Sequence, residues 1–151
     1  INNLADLTPH LSQIDVIVHL AARVHQVHDT APDPLAAFRA INTAATAHLA
    51  QAAAQAGVKR FIYLSSIKVN GEHTPLGQPF TAQDPPHPKD PYGVSKAEAE
   101  IELRQIAHST GMEVVIIRPP LIYGPGVKAN FHSLMTWVDR CLPLREKAFL
   151  S

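Results

Sequence analysis

Tyr92 and Lys96 stand four residues apart in the run Tyr92-Gly-Val-Ser-Lys96. On a helix that spacing places a phenol and an ammonium one above the other on one face. A free phenol titrates near pH ~10, and a fixed cation nearby favours its ionised form. Lys96 is therefore expected to bring Tyr92 towards the working range of a general base. Tyrosine and lysine four apart also meet by chance on ordinary helices, so the pair needs support. Ser65-Ser66 closes an apolar run and opens the long segment that leads to Tyr92. From that position the Ser66 hydroxyl and the phenol can converge on one substrate oxygen, the hydroxyl orienting or relaying the proton. Paired serines at a strand end also satisfy local backbone groups. The fold has to decide between these roles.

Three short apolar runs, 15–20, 60–65 and 113–118, read as strands. The first is rich in β-branched residues and reads as buried on both faces rather than half-exposed. Between the first two lies a long helix with Asp33 as N-cap, Pro34 at its first position and Gly57 just past its end. A second helix is opened by Asp90-Pro91, runs through Thr110 and stops at Gly111. Strand, helix, strand, helix, strand is the order of an α/β fold, a parallel sheet with crossover helices on its faces. The segment 69–91 is long and carries Pro75, Pro79, Pro85, Pro86, Pro88 and Pro91, and a loop of that length in a compact domain is usually functional. Open parallel sheets bind ligands beyond the carboxyl ends of their strands. That edge comprises residues 19–30, 65–92 and 118–131.

A chain of 151 residues is sufficient for one domain, taken here as 1–151. Its 13 basic and 13 acidic residues are mixed along the chain, which gives no footprint for nucleic acid or an anionic membrane. The apolar runs fall short of a bilayer span and the first residues lack a signal peptide's pattern. A soluble, cytoplasmic protein is expected. Cys141 is alone, so a disulfide framework or cysteine zinc site is not expected. His25, His28 and Asp29 lie close together, but without a second ligand cluster they read as a surface loop, and no metal is expected.

The chain resembles the extended short-chain dehydrogenases/reductases, in particular the NAD-dependent nucleoside-diphosphate-sugar epimerases and dehydratases, the group of UDP-glucose 4-epimerase. The motifs are His19-Leu-Ala-Ala22, Asn42, the run 61–71, Tyr92 through Lys96, and Arg118-Pro-Pro-Leu-Ile-Tyr-Gly-Pro-Gly126. The resemblance implies a Rossmann-like doubly wound parallel sheet of which this chain holds the central and later strands. It implies a nicotinamide cofactor, NAD with NADP not excluded, and a nucleotide-sugar substrate, a UDP-sugar above others. Residue by residue, Tyr92 resembles the catalytic base, Lys96 the residue that lowers its pKa and holds the nicotinamide ribose, and Ser66 the hydroxyl that assists at the sugar. Ala21, Ala22 and Ser65 would line the cofactor channel, Asn42 would brace it, Pro119 would lie beside the nicotinamide, and Asn130 and Phe131 would touch the sugar nucleotide.

The same resemblance narrows the reaction. Sugar dehydratases place an acidic residue directly after the hydroxyl residue, because eliminating water needs a further acid and base, whereas this chain has Ile67 and Lys68. An epimerase or a C4 reductase is expected. Asn70 stands where a tyrosine is common, and Leu121 where 4-epimerases often present an asparagine, so the sugar stays open. The run 65–72 looks most like a bacterial branch of 4-epimerase-like proteins and dehydrogenases of N-acetylquinovosamine nucleotides. No glycine-rich pyrophosphate turn occurs in the chain, which reads as a fragment, inactive by itself. In this group two long helices, here 35–56 and 92–108, commonly pair in a homodimer, so an oligomer is expected. Two alternatives stand beside the enzyme: a non-catalytic nucleotide-sensing or docking fragment of the same fold, and a carbonyl reductase acting on a non-sugar substrate.

Overall fold

The structure, a computed structural model, describes residues 8–24, 31–122, 124, 135–136 and 138–139. The chain divides into two compact units, Ile1–Arg118 and Pro119–Ser151. The first contains the sheet. Its elements are α1 (Thr8–Leu11), β1 (Val16–His19), α2 (Pro34–Phe38), a π-helical segment (Arg39–Ala45), α3 (Thr46–Gln55), β2 (Arg60–Leu64), a 3₁₀ turn (Ile67–Val69), α4 (Pro91–Thr110) and β3 (Glu113–Ile117). In the second unit the described residues 135–136 and 138–139 are helical. Among the described residues no helix is long and apolar enough to cross a membrane.

The sheet is parallel throughout, in the order β1-β2-β3. Ile17 pairs with Phe61 and Phe61 with Val114, and His19 pairs with Tyr63 and Tyr63 with Ile116. Side chains alternate across a strand. Phe61 and Tyr63 therefore share one face, where they are fully buried with Ala50 and Ala53 of α3 and Leu103 of α4. Alanine at those helix positions lets α3 approach the sheet closely. The other face carries Val16 and Val18, which are 44 and 58% exposed. β1 is thus half-exposed, contrary to its reading as a strand buried on both faces. An unbroken apolar run does not say which face has a cover, and among the described residues only the Ile17 side has one.

Local signals placed the helices well. Asp33 caps α2, its carboxylate accepting from the Ala36 N–H at 3.0 Å, with Pro34 in the first turn. Asp90 caps α4 in the same way through the Gly93 N–H at 2.6 Å. Gly57 and Gly111 adopt φ of 84° and 76°, the left-handed conformation that ends a helix. The first long helix departs from expectation in its middle, where seven residues widen to π geometry around the wholly buried Asn42. π segments of this kind insert a side chain that a regular helix would aim elsewhere.

Candidate active site

Ser66 follows β2 at the carboxyl edge of the sheet, in extended conformation, and its hydroxyl accepts from the Lys68 N–H at 3.3 Å to start the 3₁₀ turn. Tyr92 lies in the first turn of α4. Three contacts bring these ends of the long loop together. Lys68 Nζ donates to the free oxygen of the Asp90 cap at 2.6 Å, the His87 N–H donates to the Val69 carbonyl at 2.8 Å, and Gly93 packs on the Lys68 carbonyl. Ser66 thereby comes close enough to the Tyr92 phenol to act on its ionisation. The Tyr92 ring is half-buried, with the Phe38 ring edge-on at 6.0 Å.

Lys96 lies one turn further along α4 and is only 2% exposed. Its ammonium donates to the Leu64 carbonyl at 2.7 Å and sits 4.3 Å over the Tyr63 ring. Burial pushes its pKa down to about 8, against the opposing charge of Glu100. Burial pushes the Tyr92 phenol up, the Asp90 charge adds to that, and the Ser66 hydroxyl and Lys68 pull the other way. The expected lowering of Tyr92 by Lys96 is therefore not met in this arrangement. The ammonium is directed to the strand below, and Tyr92 is a protonated phenol at neutral pH.

Asn42 joins the helices to the stretch after β1. Its amide oxygen accepts from the Arg23 N–H at 2.8 Å, and its amide nitrogen donates to the Arg23 carbonyl and to the Ser95 hydroxyl, each at 3.0 Å. Ser95 donates in turn to the Tyr92 carbonyl at 2.8 Å, and Thr43 to the Ser95 carbonyl at 2.9 Å. One buried amide thus ties the segment of Ala21 and Ala22 to the helix of Tyr92 and Lys96. Ala21 is exposed and Ala22 half-buried. Pro119 falls in the second unit. Asn130 and Phe131, like His25, His28 and Asp29, lie outside the described residues.

Ser65 is almost fully buried and its hydroxyl donates to Glu100 at 2.6 Å, so its side chain points into the fold. Glu100 was not singled out in the sequence, yet it organises this side of the site. Arg118 donates to it twice, at 2.8 and 2.6 Å, and extends to Asn70 at 3.1 Å. Asn70 donates to the Thr81 carbonyl at 3.3 Å, anchoring the proline-rich loop. Burial alone would raise the Glu100 carboxyl. The hydrogen bonds from Arg118 and Ser65, with the charges of Arg118 and Arg104, overcome it and hold the group below the ordinary glutamate value. The available signal was spacing: residues 92, 96 and 100 form one helical stripe, and an acid on the inward stripe needs a partner.

Three comparisons bear on this geometry. The model of the NAD dependent epimerase/dehydratase family matches residues 1–143. Over 144 residues the chain is 52% identical to UDP-glucose 4-epimerase from Vibrio cholerae, covering 95% of this chain and 44% of that protein. UDP-glucuronic acid 4-epimerase from Bacillus cereus in complex with NAD superposes with a TM-score of 0.75 at 28% identity, covering 92% of this chain and 44% of the other. RMD from Pseudomonas aeruginosa complexed with NADPH does so with a TM-score of 0.73 at 33% identity, over 93% and 48%. The chain spans under half the length of these relatives.

Proposed function

Because the chain belongs to the NAD dependent epimerase/dehydratase family, we propose that the protein carrying it interconverts or reduces nucleotide sugars at C4, with Ser66, Tyr92 and Lys96 as its catalytic residues. The observation behind this is their convergence at the carboxyl edge of β2, with Ser66 acting on the Tyr92 phenol and Lys96 one turn below. The V. cholerae relative's name, UDP-glucose 4-epimerase, supports a UDP-sugar. The NAD and NADPH of the two solved relatives support a nicotinamide cofactor.

The residues fit such a cofactor at one end. An ammonium has three donors, and the Leu64 carbonyl takes one of those of Lys96 among the described residues, leaving two for ribose hydroxyls. Ala21 and Ala22 would line the channel, Asn42 braces that segment, and Pro119 would stand beside the nicotinamide. Asn130 and Phe131 would meet the sugar nucleotide. The cofactor, when bound, supplies hydride acceptance and return. Tyr92 exchanges a proton with the sugar hydroxyl oxygen, and Ser66 holds that oxygen by a hydrogen bond. The bound sugar hydroxyl and the Lys96 charge are expected to reverse the upward pKa of the phenol, since a nearby cation favours phenolate. Lys68, at the place where sugar dehydratases carry an acid, is a cation held by Asp90 and Glu72, which argues against elimination of water.

The test is the longer protein with its flanking sequence, incubated either with NAD and UDP-glucose or UDP-N-acetylglucosamine, or with NADH and a UDP-4-keto sugar, and followed by NMR of the sugar. Appearance of the C4 epimer, or net oxidation of NADH with a 4-keto sugar, supports the proposal. Unchanged sugars together with no NAD binding by calorimetry would sink it. A second copy is proposed to cover the groove between the two long helices, where Arg39 forks onto Glu98. A monomer by sedimentation at micromolar concentration would oppose that pairing.

A further inference from the structure

Tyr63 is fully buried in the middle strand and takes no part in the chemistry assigned above. Its hydroxyl lies beside Thr46 without a well-formed hydrogen bond, so the phenol group does not explain the residue. The ring does something more specific. One face receives the Lys96 ammonium at 4.3 Å from its centroid. His19 stacks on the same ring at 5.9 Å and 17°, and is itself held by Thr46 at 3.0 Å. Ammonium ions are attracted to the negative face of an aromatic ring, most strongly where water is excluded, and both partners here are at most 2% exposed.

We infer that Tyr63 is a positioning residue whose ring face, together with the Leu64 carbonyl, seats the Lys96 ammonium beneath the reacting groups. The inference rests on the catalytic role given to Lys96, but the seat is a property of the chain itself. A lysine side chain is long and flexible, and a single hydrogen bond to a strand carbonyl leaves it free to swing about that bond. A ring below restricts the ammonium to one side of that carbonyl. The charged and titratable groups that interact with Lys96 are His19 from β1, Tyr63 from β2 and Glu100 from α4. Of these only Glu100 carries a negative charge at neutral pH, and it is already bound by Arg118.

The test reads the Lys96 side chain by NMR in the chain with selectively labelled lysine, so it needs neither cofactor nor sugar and its failure is separable from failure of the proposed function. In the parent, ring current should move the Lys96 ε-protons upfield. Random-coil positions for those protons would overturn the seat without any variant. Tyr63→Phe keeps the face and should keep the Lys96 titration midpoint. Tyr63→Leu removes the face and should lower the midpoint by roughly 0.4 to 1.5 pH units, the span expected for a cation over a ring. A folded Tyr63→Leu chain with the parent midpoint, or a Tyr63→Phe chain shifted as far as Tyr63→Leu, overturns the inference.

Discussion

The backbone of Gly93 lies against the carbonyl of Lys68 so closely that a Cβ at Gly93 would stand 2.9 Å from that oxygen. Alanine in a helix is ordinarily better than glycine by about 1 kcal/mol. Here the added carbon would also meet Pro88 at 3.1 Å and the Asp90 carboxylate at 3.3 Å, so the 3₁₀ turn would have to move away from α4. Gly93→Ala should lose about 1 to 3 kcal/mol in urea unfolding, the usual cost of overpacking. It should also separate Ser66 from Tyr92, so turnover in the longer protein should fall by more than the loss of stability explains. A Gly93→Ala chain as stable as the parent would show that the contact is slack.

Glu100 is a buried carboxylate that accepts from Ser65, Arg104 and Arg118. Removing one member of a buried pair costs about 3 to 5 kcal/mol, so Glu100→Ala should leave Arg118 stranded and destabilise the chain by that order. The pH dependence has a definite sign. The folded pKa is below the unfolded value of 4.5, so the contribution is complete above pH ~4.5 and is lost as pH falls through the lower folded value. The urea midpoint of the parent should therefore drop more steeply below pH 4.5 than that of Glu100→Gln. Parallel acid profiles would contradict this.

Capping residues and glycines made the two helices legible in the sequence, because those signals act over three or four residues and need no tertiary context. Tyr92, Lys96 and Ser66 were legible for a related reason: one helix and one strand end suffice to place them. The exposure of Val16 and Val18 depends on what covers a sheet face, which no local pattern encodes. The π segment depends on Asn42 finding partners 19 residues before it and 53 after it. The upward pKa of Tyr92 depends on the burial of its ring, which residues distant in the chain such as Phe38 help to provide. What the sequence left hidden was long-range in each case.

Asn42 is expected to be a hinge pin. Alanine there removes both hydrogen bonds to the Arg23 backbone and the one to Ser95, at a cost of about 1 to 3 kcal/mol. Hydrogen exchange should then speed up at the Arg23 amide by at least about tenfold, given that ~1.4 kcal/mol is a factor of ten. Core amides such as that of Phe61 should change only with global stability. In the longer protein, NAD affinity should weaken because the segment of Ala21 and Ala22 is no longer fixed. Unchanged exchange at Arg23 would mean that the segment is held by other contacts.

Lys96 should be a residue kept at the expense of stability. Its pKa falls from 10.5 to about 8 because burial disfavours the ammonium, a difference of 2.5, or roughly 3 kcal/mol at ~1.4 kcal/mol per unit. Loss of its hydrogen bond to the Leu64 carbonyl offsets about 1 to 2 kcal/mol of that. Lys96→Met should therefore be more stable than the parent at pH 7 by about 1 to 2 kcal/mol. Between pH 8 and 10.5 the unfolded chain binds the proton that the folded chain has released, so parent stability rises with pH in that window. The advantage of Lys96→Met should shrink across it and vanish before pH 10.5 is reached, because the gain of the parent over the window exceeds that advantage. Thermal melts of both chains at pH 7 and 10 would show this convergence, while a Lys96→Met chain less stable at pH 7 would mean that the Tyr63 and Leu64 seat more than offsets the desolvation of the ammonium.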